Sequence, residues 1–356
     1  MSHPAGTVDR VTFRLTVAGS MDDLLDPLVA VLSRPLADPF ASEVVAVPGD
    51  GIRSWLTARL AERVGTSGGA AAGEVPDGIL ANVRFVFPSA LVAEAASEPT
   101  DTASADPWEV GSLTWTLHAL LHDPDIEWTH RPPGRTDLGR CRALADLFDR
   151  YALHRPVMVT AWEAGGWVDP EMRPLPDHLR WQAELWRLVG ARTGVPSPAA
   201  ALRRAVVDLR AGRRSPSLPE RVHLVGLAGL PGPHLHVLAA LSEHRDVHVF
   251  APVHSTTVWE RVRRAVETSP PPFPLARTAD PTAAVAAHPL GALWGRAARE
   301  AHLLLTAAAV ESDAEIRCVP TPVAPASPSL LRRLQDDLRA DLVPPGTAVS
   351  PTPGAA

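Results

Sequence analysis

The sequence contains no lysine; all 34 of its permanently cationic side chains are arginine, set against 40 aspartates and glutamates. A phosphate-binding P-loop needs a lysine to reach the β- and γ-phosphates, and the usual nuclease cluster of metal-binding carboxylates ends in one. This chain completes neither. Cysteine is nearly as scarce. Cys141 and Cys318 stand alone, with no CxxC pair and no His-Cys group at metal spacing, so neither a disulfide framework nor a structural zinc site is expected. The two thiols read as buried small residues of a reducing compartment. Long apolar runs are also missing: the longest, Ala301 to Val310, is too short to span a bilayer, and no charged segment followed by an apolar run opens the chain. The expected location is the cytoplasm, with no membrane contact. A net charge of −6 gives no global electrostatic case for a nucleic-acid binder, although a basic groove can sit inside an acidic total.

What is present is enough apolar sequence, 46% of 356 residues, for two or three packed lobes. Thr12 to Val17 alternates like a strand and leads through Ala18–Asp23 into a helical pattern from Leu24 to Leu32, with Ser20 or Asp22 as its N-cap. Val44 to Val47 and Ile52 to Val64 repeat the strand-helix order, which predicts a parallel, helix-covered sheet. Thr66–Gly73 and Glu98–Pro107 read as loops. Helical spacing then dominates, over Leu113–Leu121, Leu138–Leu153, Leu179–Val189 and Ala199–Leu209. Strand character returns at Val222–Val225 and Val247–Phe250 around a helical Pro233–Leu241. One helix from Pro289 to Val310, a strand at Ile316–Val319 and an amphipathic Leu330–Leu342 follow, and the proline-rich end is expected to be disordered. The pattern is an α/β lobe interrupted by a helical one.

Two stretches carry chemistry. In VVAVPGDGIRSWL, residues 44–56, a strand passes through Gly49-Asp50-Gly51 into a helix, and glycine's tolerance of positive φ would leave backbone N–H groups exposed at a helix N-terminus, which favours an anion. Without GxxxxGK[ST] the same turn also reads as a plain tight connection. In DLFDRYALHRP, residues 146–156, Asp146, Asp149 and Arg150 share a helix face and Arg155 lies just past its end. That face is either solvated and capping, or able to accept from cytosine amino groups and grip guanine or phosphate. Trp162, Trp167, Trp181 and Trp186, among ten tryptophans, either pack a core or stack on bases; packing is preferred. The histidines are scattered, and His234 and His236, two apart, do not share a helix face. No metal, no cofactor and no catalytic residue is assigned, and neither GxSxG nor HExxH occurs.

Six ordered blocks, Leu36–Glu62, Gly78–Val92, Leu144–Gly165, Trp181–Val189, Leu218–Leu241 and His288–Leu305, resemble the RecC family, the gamma subunits of exodeoxyribonuclease V. They cover about residues 12 to 310, and only the N-terminal third of such a subunit. The resemblance implies a RecA-like parallel sheet from a superfamily 1 helicase domain that has lost its ATPase, with an all-helical subdomain inserted. The divisions it implies are 10–105 and 214–319 for the α/β domain, 106–213 for the insertion, and 320–356 for a linker or tail. The sequence agrees with the loss: the Ala18–Asp23 turn has no lysine, and Val222–Val225 runs into Gly226-Leu227-Ala228-Gly229 where a motor shows an acidic pair.

The resemblance further implies a non-catalytic subunit that holds the 3′-ended single strand of DNA and scans it for a Chi-like sequence, beside RecB-type and RecD-type partners, in double-strand break repair. By position it nominates Pro48, Gly49, Asp50, Gly51, Ser54 and Phe87, and in the helical lobe Asp146, Leu147, Asp149 and Arg155. Pro48, Asp50 and Ser54 depart from the polar residues typical of the family's loop, and Ala199 stands where an arginine is expected, so any sequence read would differ. The missing two-thirds points to a truncated product or one piece of a split subunit. A stand-alone protein-binding scaffold is the competing reading. An active ATPase is a third, opposed by the missing lysine.

Overall fold

The computed structural model describes residues 12–38, 40–64, 78–97, 106–134, 136–268, 282–320 and 329–344. Among them, strands β1 (Phe13–Ala18), β2 (Glu43–Ala46), β3 (Val83–Val86), β4 (Arg221–Val225), β5 (Asp246–Pro252) and β6 (Glu315–Cys318) form one sheet in the order β3-β2-β4-β5-β1-β6. Every pairing is parallel. Parallel strands need crossover connections, and helices supply them on both faces. These are α1 (Leu25–Leu32), α2 (Asp50–Val64), α3 (Pro88–Ala96), α4 (Val110–His122), α5 (Leu138–His154), α6 (Pro156–Glu163), α7 (Arg180–Thr193), α8 (Pro198–Arg210), α9 (Gly232–Leu241), α10 (Thr256–Thr268), α11 (Pro289–Trp294), α12 (Arg296–Glu311) and α13 (Leu330–Ala340). The expected α/β architecture is present.

Alternation along the strands splits the core in two. Leu15, Val17, Val44, Val222, Leu224, Val247 and Val249 face α3, α9 and α12, whereas Val45, Val47, Val225 and Phe250 face α1 and α2. A separate apolar core belongs to α4–α7, where Trp108, Phe148, Trp162 and Trp186 are buried and meet edge-on or tilted, with Ala199 of α8 beside them. Among the four tryptophans weighed as stacking platforms, Trp162, Trp181 and Trp186 are core, and Trp167 is half-buried under the Arg187 guanidinium at 4.3 Å. Trp162 Nε1 donates to Val168 O at 2.8 Å and Trp186 Nε1 to Glu163 Oε1 at 3.1 Å, which satisfies the polar edge that burial would otherwise strand. Helices α8 and α9 join this unit to the sheet.

Several expectations change. The single helix over 289–310 is two, broken at Gly295, where the backbone turns so tightly that a β-carbon would collide with the Gly291 carbonyl. Helix α1 starts at Leu25 with no side-chain cap; Ser20 Oγ instead accepts from Asp23 N at 3.2 Å and locks the preceding turn. Cys141 is buried, but Cys318, on the edge strand β6, is only half-buried. The loop at 66–73 and the end of the chain beyond 344 lie outside the described residues. Helix α13 is pinned at its C-terminal end, where Asp341, buried at φ +56°, accepts from Ala287 N at 2.9 Å and His288 N at 2.8 Å and pairs with Arg261. Among the described residues no helix is long and apolar enough to cross a membrane.

Candidate nucleic-acid interface

The site begins with the parallel pairing of β2 and β3. Ala46 stands opposite Val86, and Val47 N donates to Val86 O at 2.9 Å, so both strands end at one edge of the sheet. Pro48 leaves β2 and Phe87 leaves β3 side by side. Strand carboxyl ends are where open α/β sheets bind ligands. Pro48, Asp50, Gly51 and Ser54 are exposed, Gly49 is half-buried, and the Phe87 ring, 54% exposed, stands in solvent just before Pro88 opens α3.

The two glycines behave differently from the expectation. Neither Gly49 nor Gly51 adopts left-handed backbone, Gly51 is the second residue of α2, and a β-carbon on either would meet nothing within 4 Å. They are not demanded by the turn; they leave open space over it. Arg53 N donates to Gly49 O at 3.1 Å as an early helical bond, and the amides before it belong to the end of the helix that lacks intrahelical acceptors. Asp50 places a carboxylate in that first turn, where the helix dipole favours it, and pairs with Arg53 at 3.2 Å.

The second group rides on α5. Asp137 caps the helix by accepting from Arg140 N at 2.9 Å, and Pro156 ends it, since the residue before proline avoids helical backbone. Arg155 is that residue, the elbow (φ −137°, ψ 44°) between α5 and α6. Its backbone N donates to Tyr151 O at 2.8 Å, and its exposed guanidinium donates to His154 O at 3.0 Å. Asp146 is half-buried and pairs with Arg142 at 3.7 Å; Leu147 packs against the helical core. Asp149 is exposed, yet partial desolvation, and then the Asp146 carboxylate, hold its own carboxyl above the usual range.

Thus Pro48, Gly49, Asp50, Gly51, Ser54 and Phe87 form one group, and Asp146, Leu147, Asp149 and Arg155 another. Helix α2 packs on α1, whereas α5 packs on α4, α6, α8 and α9, so the groups are joined through α8 and α9. An open groove of about 420 Å³ runs beside the second group, lined by Pro156, Val157, Ala199, Leu202, Arg203 and Val206 among others. Ala199 lines it where an arginine was expected. Arg203, one turn further along α8, is exposed on the same groove.

Sequence reasoning missed a polar cluster at the opposite, amino-terminal edge of the sheet. There Glu43 meets Arg221 and His223, and His248 lies beside His223 with ring centres 5.3 Å apart. The available signal was the two-residue alternation that puts Arg221 and His223, and Asp246 and His248, on one face. Among the described residues no group of three or more His, Cys, Asp or Glu gathers to hold a metal.

The sequence matches the RecC N-terminal domain family over residues 13–341. The chain is a member of the RecC family. It is similar to the RecBCD enzyme subunit RecC of Mycolicibacterium smegmatis, 33% identical over 343 residues that cover 91% of this chain and 28% of that protein. The RecC of Mycobacterium tuberculosis is 33% identical over 304 residues, 81% of this chain and 26% of that one. That of Escherichia coli is 28% identical over 251 residues, 64% and 20%. The chain therefore spans about a quarter of the length of the RecC relatives it matches. Its all-parallel sheet agrees with the RecA-like architecture expected for a RecC N-terminal domain.

Proposed function

We propose that the chain is the strand-guiding part of a RecBCD-type exodeoxyribonuclease V: it holds the 3′-ended single strand and reads a Chi-like sequence, while RecB-type and RecD-type subunits supply motor and cleavage chemistry during double-strand break repair. The observation that carries the reading is the shared edge of β2 and β3, which sets an exposed Phe87 ring beside a glycine-cleared loop. An aromatic face stacks on any base, and space above a backbone lets a strand approach. Asp50 refines the contact. A phosphate would meet its carboxylate, so the loop addresses base edges, whose amino groups a carboxylate accepts. Arg155 and Arg203, neither with a carboxylate partner among the described residues, are the phosphate-holding groups.

In the same reading, residues 106–213 are a helical subdomain inserted between the two parts, 10–105 and 214–319, of an inactive motor domain, with 320–356 a linker or tail. Support comes from the helices' own core and from β4 taking its place beside β2.

The test is binding of a labelled single-stranded oligonucleotide by the 356-residue chain between about 50 and 200 mM salt. Salt-sensitive binding that Arg155→Ala weakens, with melting unchanged, is the expected result; in the assembled complex Arg155→Ala and Asp149→Ala should impair strand retention or sequence response. No binding at low salt refutes it. That outcome would favour the scaffold reading, for which Leu293 and Trp294 of α11, 77% and 85% exposed, supply an apolar surface.

A further inference from the structure

The turn that leaves β1 reaches across the sheet. Met21 Cε and Sδ lie 3.1 and 3.3 Å from where a β-carbon would stand on Gly226, and Ile52 Cγ2 lies 3.3 Å from the same point. Gly226 follows β4 with φ +77°, its N–H donating to Phe250 O at 2.9 Å, a conformation and a clearance that only glycine provides without strain. Because β5 lies between β4 and β1 in the sheet, Met21 spans the carboxyl end of β5 to reach the space over Gly226 that Ile52, on the first turn of α2, also borders. Three connections, those leaving β1, β2 and β4, converge there.

The two sides of that contact are unequally held. Met21 sits in a locked turn: Ser20 Oγ donates to Asp23 Oδ2 at 2.7 Å and accepts from Asp23 N, and Leu24 N donates to Met21 O at 3.2 Å. The first turn of α2 and the residue before it carry two glycines in open space and an exposed Asp50–Arg53 pair, a sequence that frays readily. Ile52 is the first α2 side chain to pack into the core, and Met21 packs into it beside Ile52. An unbranched thioether suits an irregular gap of this kind.

We propose that Met21 is a positioning residue for the strand-contacting loop: its side chain, packed over Gly226 beside Ile52, sets where Pro48–Ser54 stand. The functional half of this inference rests on the single-strand reading above; the mechanical half does not. The test compares Met21→Ala, Met21→Leu and, as a control, Leu28→Ala, which opens the same core under α1, in the 356-residue chain. Hydrogen exchange should quicken about tenfold at residues 53–56 in Met21→Ala, beyond any general loosening, stay near wild type in Met21→Leu, and spread over α1 and α2 alike in Leu28→Ala. Oligonucleotide affinity should fall several-fold in Met21→Ala and recover in Met21→Leu. Unchanged exchange at 53–56, or equal behaviour of the alanine and leucine variants, overturns the strut. Wild-type protein that binds no oligonucleotide overturns the strand reading instead, while exchange still decides the strut.

Discussion

His223 Nε2 lies 2.9 Å from Glu43 Oε2 between the neighbouring strands β4 and β2, and the same carboxylate takes Arg221 Nε at 3.0 Å. His223 and Arg221 are buried, and Glu43 nearly so. Burial alone would raise the Glu43 carboxyl; the hydrogen bonds from His223 and Arg221 outweigh it and hold the group below its usual range. Burial in turn drives His223 toward its neutral form against the pull of Glu43.

Removing the carboxylate strands a buried cation. Glu43→Ala should therefore cost about 3–5 kcal/mol, read from urea unfolding, because among the described residues Arg221 keeps only its bond to the Arg34 carbonyl. Arg221→Met on top of it should recover part of that loss, since the buried charge leaves with it. Equal stability of wild type and Glu43→Ala would mean that water reaches the cluster.

The buried histidines set the pH response. Burial first, then His223 and Arg14, push His248 down to about 3; burial, then His254 and Arg299, do the same to His302. Both titrate near 6.5 in the unfolded chain, so below that pH the unfolded state binds protons that the native state refuses. Stability is complete above about pH 6.5 and drains as the pH falls toward 3, by up to about 1.4 kcal/mol per pH unit for each histidine. His223, His234 and His254 are lowered too and add to the trend. Unfolding titrations between about pH 7 and 5 should show this slope, and His248→Gln with His302→Gln should remove nearly two protons of it. A slope unchanged in the double variant would assign the effect elsewhere.

The break at Gly295 makes a local prediction. Gly295→Ala drives a methyl into the Gly291 carbonyl, and Arg299 Nη1, which also donates to that carbonyl, crowds the same spot at 3.1 Å. Helix α11 must shift, at a cost of about 1–3 kcal/mol. A melting temperature equal to wild type would show that α11 gives way freely.

Much of this molecule was readable in advance, for identifiable reasons. Fully buried parallel strands read as β-branched runs, so Val44–Val47 and Val222–Val225 fall within a residue of β2 and β4. The α5 boundary was legible because Asp137 caps and Pro156 stops it. Strand β3 escaped because four residues, VRFV, give no periodicity at an edge, and α6 because a proline directly after α5 reads as a loop. Of the site, the glycine turn and the DLFD face were visible as spacings. The Glu43–Arg221 and Met21–Gly226 contacts were not: they join residues about 180 and 200 positions apart, and only strand register brings such residues together.

The glycines of the candidate loop separate packing from function. Gly51 sits inside the first turn of α2 with no left-handed backbone and no neighbour within 4 Å of a β-carbon, so nothing in the fold requires it. Alanine relieves the unfolded chain of glycine's extra freedom and favours the helix, by a few tenths to about 1 kcal/mol. Gly51→Ala should therefore melt at or above the wild-type temperature. If a single strand approaches the backbone here, the added methyl stands in its path, and oligonucleotide affinity should fall while stability rises. Those opposite signs cannot come from damage to the fold, and affinity that rises or holds with stability would move the contact away from this turn.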